Sequence, residues 1–165
     1  MKTIILTFLM SASFSIFAQD RITDFRDILF GARVDSAYRN GTKVDFQKDR
    51  NSSLRNAYEI AGDNLFIGNV KLNKINYIFN DELRFFKVFM LGNKEEVAQM
   101  RFILNFKFGE HRNESVVDGI RYQQWVIKDV TFTLAEYDHV KFELVMESNW
   151  QASETYKKNT NVEDF

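Results

Sequence analysis

Apolar and polar residues alternate most clearly in the second half of the chain. Val130, Phe132 and Leu134 alternate with Thr131 and Thr133, and Val140, Phe142, Leu144 and Met146 alternate with Lys141, Glu143 and Glu147. A period of two places one set on a buried sheet face and the other toward water. Tyr122 to Ile127 forms a third strand before them, and Lys128-Asp129 and Glu136 to His139 supply the connecting turns. The charged outer positions predict a sheet with one solvated side. Further upstream, Ile75, Tyr77 and Phe79 share one face of a strand over 70–79, and Asn80-Asp81 turns the chain back. The returning strand, 83–91, is apolar on both faces, with Phe85 and Phe89 on one and Phe86, Val88 and Met90 on the other. Such a strand is expected at the centre of a sheet, covered on both sides.

After Gly92 the period changes. Val97, Met100, Leu104 and Phe108 recur at helical spacing, and Phe102, Ile103 and Phe106 widen the stripe. Asn93 stands at an N-cap position with Glu96 three residues on, and Gly109 ends the run. This predicts one well-defined helix over about 94–108. The first half is less regular. Residues 21–30 read as a short helix or an extended entry segment, and 34–39 as one or two helical turns closed by Asn40-Gly41. Short strands are expected at 44–46, 57–60 and 65–67, with polar loops over 47–56 and 110–119. The fold class implied is α+β: one or two antiparallel sheets packed on the 94–108 helix and one shorter helix. The order of elements suggests two αβββ-type units in tandem.

The first eighteen residues stand apart. Lys2 provides a positive start, residues 4–10 are apolar except for Thr7, and Ala18 offers a small residue before Gln19-Asp20. That order is a secretory signal, cleaved after residue 18. Thr7, Ser11, Ser13 and Ser15 make the run too polar for a membrane span, which needs about 20 apolar residues. No Cys follows the run to carry a lipid. The mature chain is therefore expected in the periplasm or outside the cell, as a single domain over 19–150 followed by a polar tail over 151–165.

Composition narrows the chemistry. With no Cys, the protein has neither disulfides nor thiol catalysis, and with no Pro its turns fall to Gly, Asn and Asp. The net charge of −1 gives no basic excess for nucleic acid. The two histidines, His111 and His139, fall in expected turns, and no G-x-S-x-G elbow is present. Two distant histidines do not give zinc spacing, and Asp45, Asp49 and Asn51 lack the remainder of a calcium loop. No cofactor is implied, and no catalytic residue can be assigned. The 17 Phe are the unusual feature. Phe85, Phe86, Phe89, Phe102, Phe106, Phe108, Trp125, Phe132 and Phe142 either fill an ordinary core or line a cavity for an apolar ligand. Tyr122, Trp125 and Trp150 fall at strand edges or ends, where a half-exposed aromatic can anchor a partner.

Ile28 to Gly31, the strand Ile75 to Leu83, the helix ending Phe106-Lys107-Phe108-Gly109, and Trp125 ahead of Val130 to Leu134 together resemble small exported bacterial proteins. The pattern is similar to the tandem helix-plus-sheet units of the β-lactamase inhibitor protein. In single copy it is similar to the small lipoproteins of outer-membrane β-barrel assembly. The chain differs from the first in lacking disulfides and from the second in lacking a lipidated Cys. The resemblance implies a binding or scaffolding domain and carries no site residue across. The leading expectation is an exported, non-enzymatic domain presenting a sheet face to an envelope or secreted protein. The alternatives are a carrier of an apolar ligand and a hydrolase working through paired carboxylates.

Overall fold

Thirteen strands and one helix follow the chain in the computed structural model, which describes residues 22–137 and 140–149. The signal segment, His139, Trp150 and the tail over 151–165 lie outside the described residues. Three short hairpins come first: β1 (Asp24–Phe25) with β2 (Ile28–Leu29), β3 (Tyr38–Arg39) with β4 (Thr42–Lys43), and β5 (Phe46–Lys48) with β6 (Ala57–Ile60). Next come β7 (Phe66–Ile67), β8 (Val70–Phe79) and β9 (Phe85–Asn93). A 3-10 turn (Lys94–Glu96) leads into α1 (Val97–Phe108). The chain then runs through β10 (Asn113–Val117), β11 (Ile120–Ile127), β12 (Val130–Glu136) and β13 (Lys141–Ser148).

One antiparallel sheet organises the molecule, in the order β10-β11-β12-β13-β9-β8-β6-β5, with β7 paired on β8. The fold is thus mainly β with a single helix among the described residues. The expected shorter helix is absent among the described residues. Residues 24–29 turn back on themselves at Arg26 and Asp27, both in left-handed conformation, and 38–43 do the same at Asn40-Gly41. With no helix before β9 among the described residues, two αβββ units in tandem are not evident.

The inner sheet face is covered by two different structures. Over β8 and β6 lies an aromatic cluster fed by the N-terminal hairpins. Phe46 packs on Tyr77 and Phe79 at 5.4 and 5.0 Å, and Phe25 packs on Tyr77 at 5.9 Å. Nearest to β11, and reaching Phe132 of β12, lies α1, which buries Val97, Met100 and Leu104. Two β-bulges tune the register. Leu72 pairs with Gly92 but Lys74 with Leu91, and Ile78 pairs with Lys87 but Phe79 with Phe85. The second bulge inserts Phe86 as an extra residue and rotates Phe85 to the inner face, beside Val88 and Met90. The expected pairing of Phe85 with Phe89 therefore does not hold: Phe85 is buried and Phe89 lies half-exposed on the other face.

The β8–β9 connection is longer than the tight turn expected at Asn80-Asp81. The Asn80 side-chain oxygen accepts from the amides of Glu82 and Arg84, and Leu83 adopts a left-handed conformation rather than starting the strand. Two expected loops contain strands. β5 and β10 are edge strands whose residues are mostly exposed, so neither shows an apolar alternation. The last three strands agree with the expected pattern except at Val140, which is 74% exposed and precedes β13. No helix among the described residues is long and apolar enough to cross a membrane.

Candidate functional site

The two coverings of the inner sheet face do not close fully on each other. Between them lies a cleft of about 460 Å³. Its floor is the sheet itself, through Met90, Phe132, Leu144 and Met146. One wall is α1, through Met100, Ile103, Leu104 and Phe108. The facing wall is the N-terminal segment, through Ile22 and Phe25, joined by Ile67 and Gly68 after β7. Gly68 is required at that close approach. Its φ is +60°, and a Cβ there would come within 3.1 Å of Ile103 Cδ1. Three of the lining residues are methionines, whose unbranched thioethers adapt to irregular apolar shapes. Phe108 and Phe132 stack at 4.7 Å along one side.

Polar groups are confined to Thr23, Asp24, Arg26 and Lys107. Asp24 is the single carboxylate of the lining, and it accepts from the Thr23 hydroxyl at 3.2 Å and the Asp27 amide at 3.3 Å. Arg26 is held away from the apolar floor. Its guanidinium donates to the carbonyls of Asn64 and Phe66 and pairs with Asp63 at 3.2 Å. Asp63 also receives Arg39 at 3.1 Å and the Tyr77 hydroxyl at 2.7 Å, so one buried carboxylate ties hairpin, loop and sheet together. Burial, reinforced by Asp63, pushes the Tyr77 phenol well above its ordinary value. The cleft wall is thus braced by a polar network behind it.

The helix presents a second feature beside the cleft. Phe102 and Phe106 were expected to widen the buried stripe. Instead they are 61% and 85% exposed, and their rings stack on each other at 6.2 Å. At 100° per residue they lie on the side of α1 away from Met100 and Leu104, next to the row of Ile103. The physical reason is that α1 packs on one sheet only, so a helix apolar around most of its circumference leaves a face uncovered.

The anticipated anchor residues are dispersed. Trp125 is on the inner face and only 1% exposed, correcting the expectation of a half-exposed edge residue. Its indole donates to Asn105 Oδ1 at 3.1 Å and to the Gly109 carbonyl at 3.0 Å, fastening the end of α1 to the sheet. Tyr122 is half-exposed on the outer face, and Trp150 lies outside the described residues. His111 is not an exposed turn residue. It packs edge-on against Trp125 at 5.7 Å and meets Glu114 at 2.9 Å. The Gln123 amide, itself buried, donates to Glu114 and, together with His111, holds that carboxyl below the usual range. Arg101 spans from α1 to Gln123 and Glu136, 2.6 Å from each. Asp49, one of the weak calcium candidates, is committed to Lys74 at 2.6 Å and Asn76 at 3.1 Å. Among the described residues no group of three or more His, Cys, Asp or Glu side chains is placed to hold a metal ion.

Sequence reasoning singled out the phenylalanines but not the methionines. Of the nine aromatic candidates for a cavity, Phe108 and Phe132 line the cleft, joined by Phe25 from outside that set. No family model, curated protein or solved structure matches the chain.

Proposed function

We propose that the chain is an exported, non-catalytic binding domain that takes the apolar part of a ligand into the cleft between α1 and the N-terminal segment. The observation that carries this reading is the cleft itself. It is about 460 Å³, floored by core side chains of the sheet and rimmed by a few polar groups. Sites for small apolar ligands span roughly 300–1,000 Å³ and share that distribution of polarity. A lining with one carboxylate, already hydrogen-bonded within its own hairpin, does not offer the pair of acids a carboxylate hydrolase needs.

The test is a calorimetric titration of the purified exported protein with a soluble single-chain amphiphile, dodecyl maltoside below its micelle concentration. The expected result is saturable one-to-one binding. Ile103→Trp, which fills the mouth from a half-buried position, should weaken it by about tenfold or more. A folded wild-type protein that shows no saturable binding would overturn the reading.

A second reading, protein binding through the sheet, has its own supporting observation. The outer face of β9, β13 and β11 carries half-exposed Phe89, Leu91, Val145, Val126 and Tyr122. These residues lie outside the core cluster and under no helix among the described residues. The likeness to exported binding and scaffolding domains favours the same reading. Pull-down from an envelope fraction, repeated with Phe89→Lys, separates it from the first. Loss of a stoichiometric protein partner with amphiphile binding intact would favour the sheet.

A further inference from the structure

We infer that α1 docks on a lipid bilayer surface through the exposed Phe102–Phe106 pair, placing the cleft mouth against the bilayer. The inference rests in part on the cleft reading and adds to it the source of the ligand.

The helix supports this in three ways. First, the pair is an unusual exposure. Phe106 is 85% and Phe102 61% accessible, in adjacent turns and stacked on each other. Large apolar side chains gathered on a solvent face mark an interaction site. Second, the surrounding surface suits an apolar phase. Between Val97 and Phe106 the one charged residue is Arg101, and its guanidinium is bound to Gln123 and Glu136 toward the sheet. Ala98 and Gln99 complete the outward face. The acids stand at Glu95 and Glu96 before the helix and at Glu110 after it, and Lys107 lies beside Phe106 with no carboxylate partner among the described residues. Helices at a membrane interface sink an apolar face to the headgroup boundary and keep cations beside it, and here Phe102 and Phe106 would be the inserted residues and Lys107 the cation. Third, Ile103 belongs to both surfaces. It lines the cleft and neighbours the aromatic pair along the helix, so an alkyl chain leaving the bilayer would pass over one residue to reach the methionine floor.

The extent of the patch argues against a second copy of the chain as occupant. Two phenylalanine side chains offer roughly 150–250 Å² each, so at these exposures they present about 300 Å². A stable protein interface buries about 800 Å² on each partner. A bilayer needs no complementary surface, because partial insertion of the rings removes them from water.

The experiment is co-sedimentation with sucrose-loaded phosphatidylcholine–phosphatidylglycerol vesicles, for wild type and for the double variant F102S/F106S. Urea unfolding of both proteins confirms a common fold. Wild type should sediment with vesicles, and the double variant should partition about tenfold more weakly or less well still, while keeping wild-type affinity for dodecyl maltoside. Wild type that stays in the supernatant yet binds dodecyl maltoside would overturn the docking inference and leave the cleft reading intact. Loss of dodecyl maltoside binding in the double variant would assign the pair to the cleft and overturn the inference as well. A concentration-dependent dimer by light scattering, abolished in the variant, would give the face to a second copy.

Discussion

Gly92 offers a sharp test of how the sheet is packed. It stands opposite Phe142 in the β9–β13 ladder, and the Phe142 ring lies over its backbone. A Cβ built on Gly92 would sit 2.3 Å from both Cε1 and Cζ of that ring. Comfortable carbon–carbon contact is about 3.5–4.0 Å, so Gly92→Ala demands a shift of more than an ångström. Phe142 is fully buried and cannot swing into solvent. Overpacking of this kind costs about 1–3 kcal/mol. Against it, replacing a strand glycine with alanine recovers roughly 0.5–1 kcal/mol of backbone entropy. The net expectation is a loss of about 1–2 kcal/mol, which at about 4 °C per kcal/mol lowers Tm by roughly 4–8 °C. Urea unfolding of Gly92→Ala, Phe142→Leu and the double variant closes a cycle. In the Phe142→Leu background, Gly92→Ala should be neutral or stabilising, giving a coupling of about 1 kcal/mol or more. Equal cost in both backgrounds, or a Gly92→Ala protein as stable as wild type, would refute the view that the ring covering Gly92 fixes this residue.

Three further outcomes are expected. Asp63→Ala leaves Arg26, Arg39 and the Tyr77 hydroxyl without their shared acceptor. It should cost about 3 kcal/mol or more in urea unfolding, with Asp63→Asn milder because it retains an acceptor. Trp125→Phe strands Asn105 Oδ1 and the Gly109 carbonyl. It should cost about 1–3 kcal/mol and speed amide exchange over the last turn of α1 more than over β12. The third concerns pH. The hydrogen bond from Lys74 holds the Asp49 carboxyl below its ordinary value of 3.8, with the Asn51 amide and Asn76 assisting. Because the folded-state value is the lower one, the contribution is fully present above 3.8 and is lost as pH falls through the folded value. In Asp49→Asn the urea midpoint should therefore be lower near neutrality and should fall less steeply than wild type over that acidic window.

The parts of the fold legible in the sequence are those whose signal is local. The alternation over β12 and most of β13 fixed which residues face inward, because a strand with one solvated face repeats every two residues. Lys128 with Asp129 marked a connecting turn, and Lys128 is left-handed in the structure. The helix was visible from its spacing, although the expected N-cap is not made. The Asn93 side chain accepts from Asn73 instead of capping, and a 3-10 turn opens the helix. Edge strand β10 left no trace because both of its faces are open to water, so nothing in the sequence had to alternate, while β5 was marked only at Phe46, its one residue that packs inward.

What tertiary structure alone decided is which apolar surfaces are covered. The chain supplies more apolar faces than one sheet and one helix can bury. Periodicity cannot rank them, since Phe102 and Met100 carry equal weight in a helical stripe until a sheet is placed against one side. A bulge at Phe86 reassigned Phe85 to the core, through the β8–β9 register, which the residue pattern of β9 by itself does not reveal. Trp125 became a helix fastener because β11 happens to run beneath the end of α1. The cleft has no local signature at all. It exists where the N-terminal hairpins and α1, each packed on its own half of the sheet, do not close fully on each other, and its methionines read in the sequence as ordinary core.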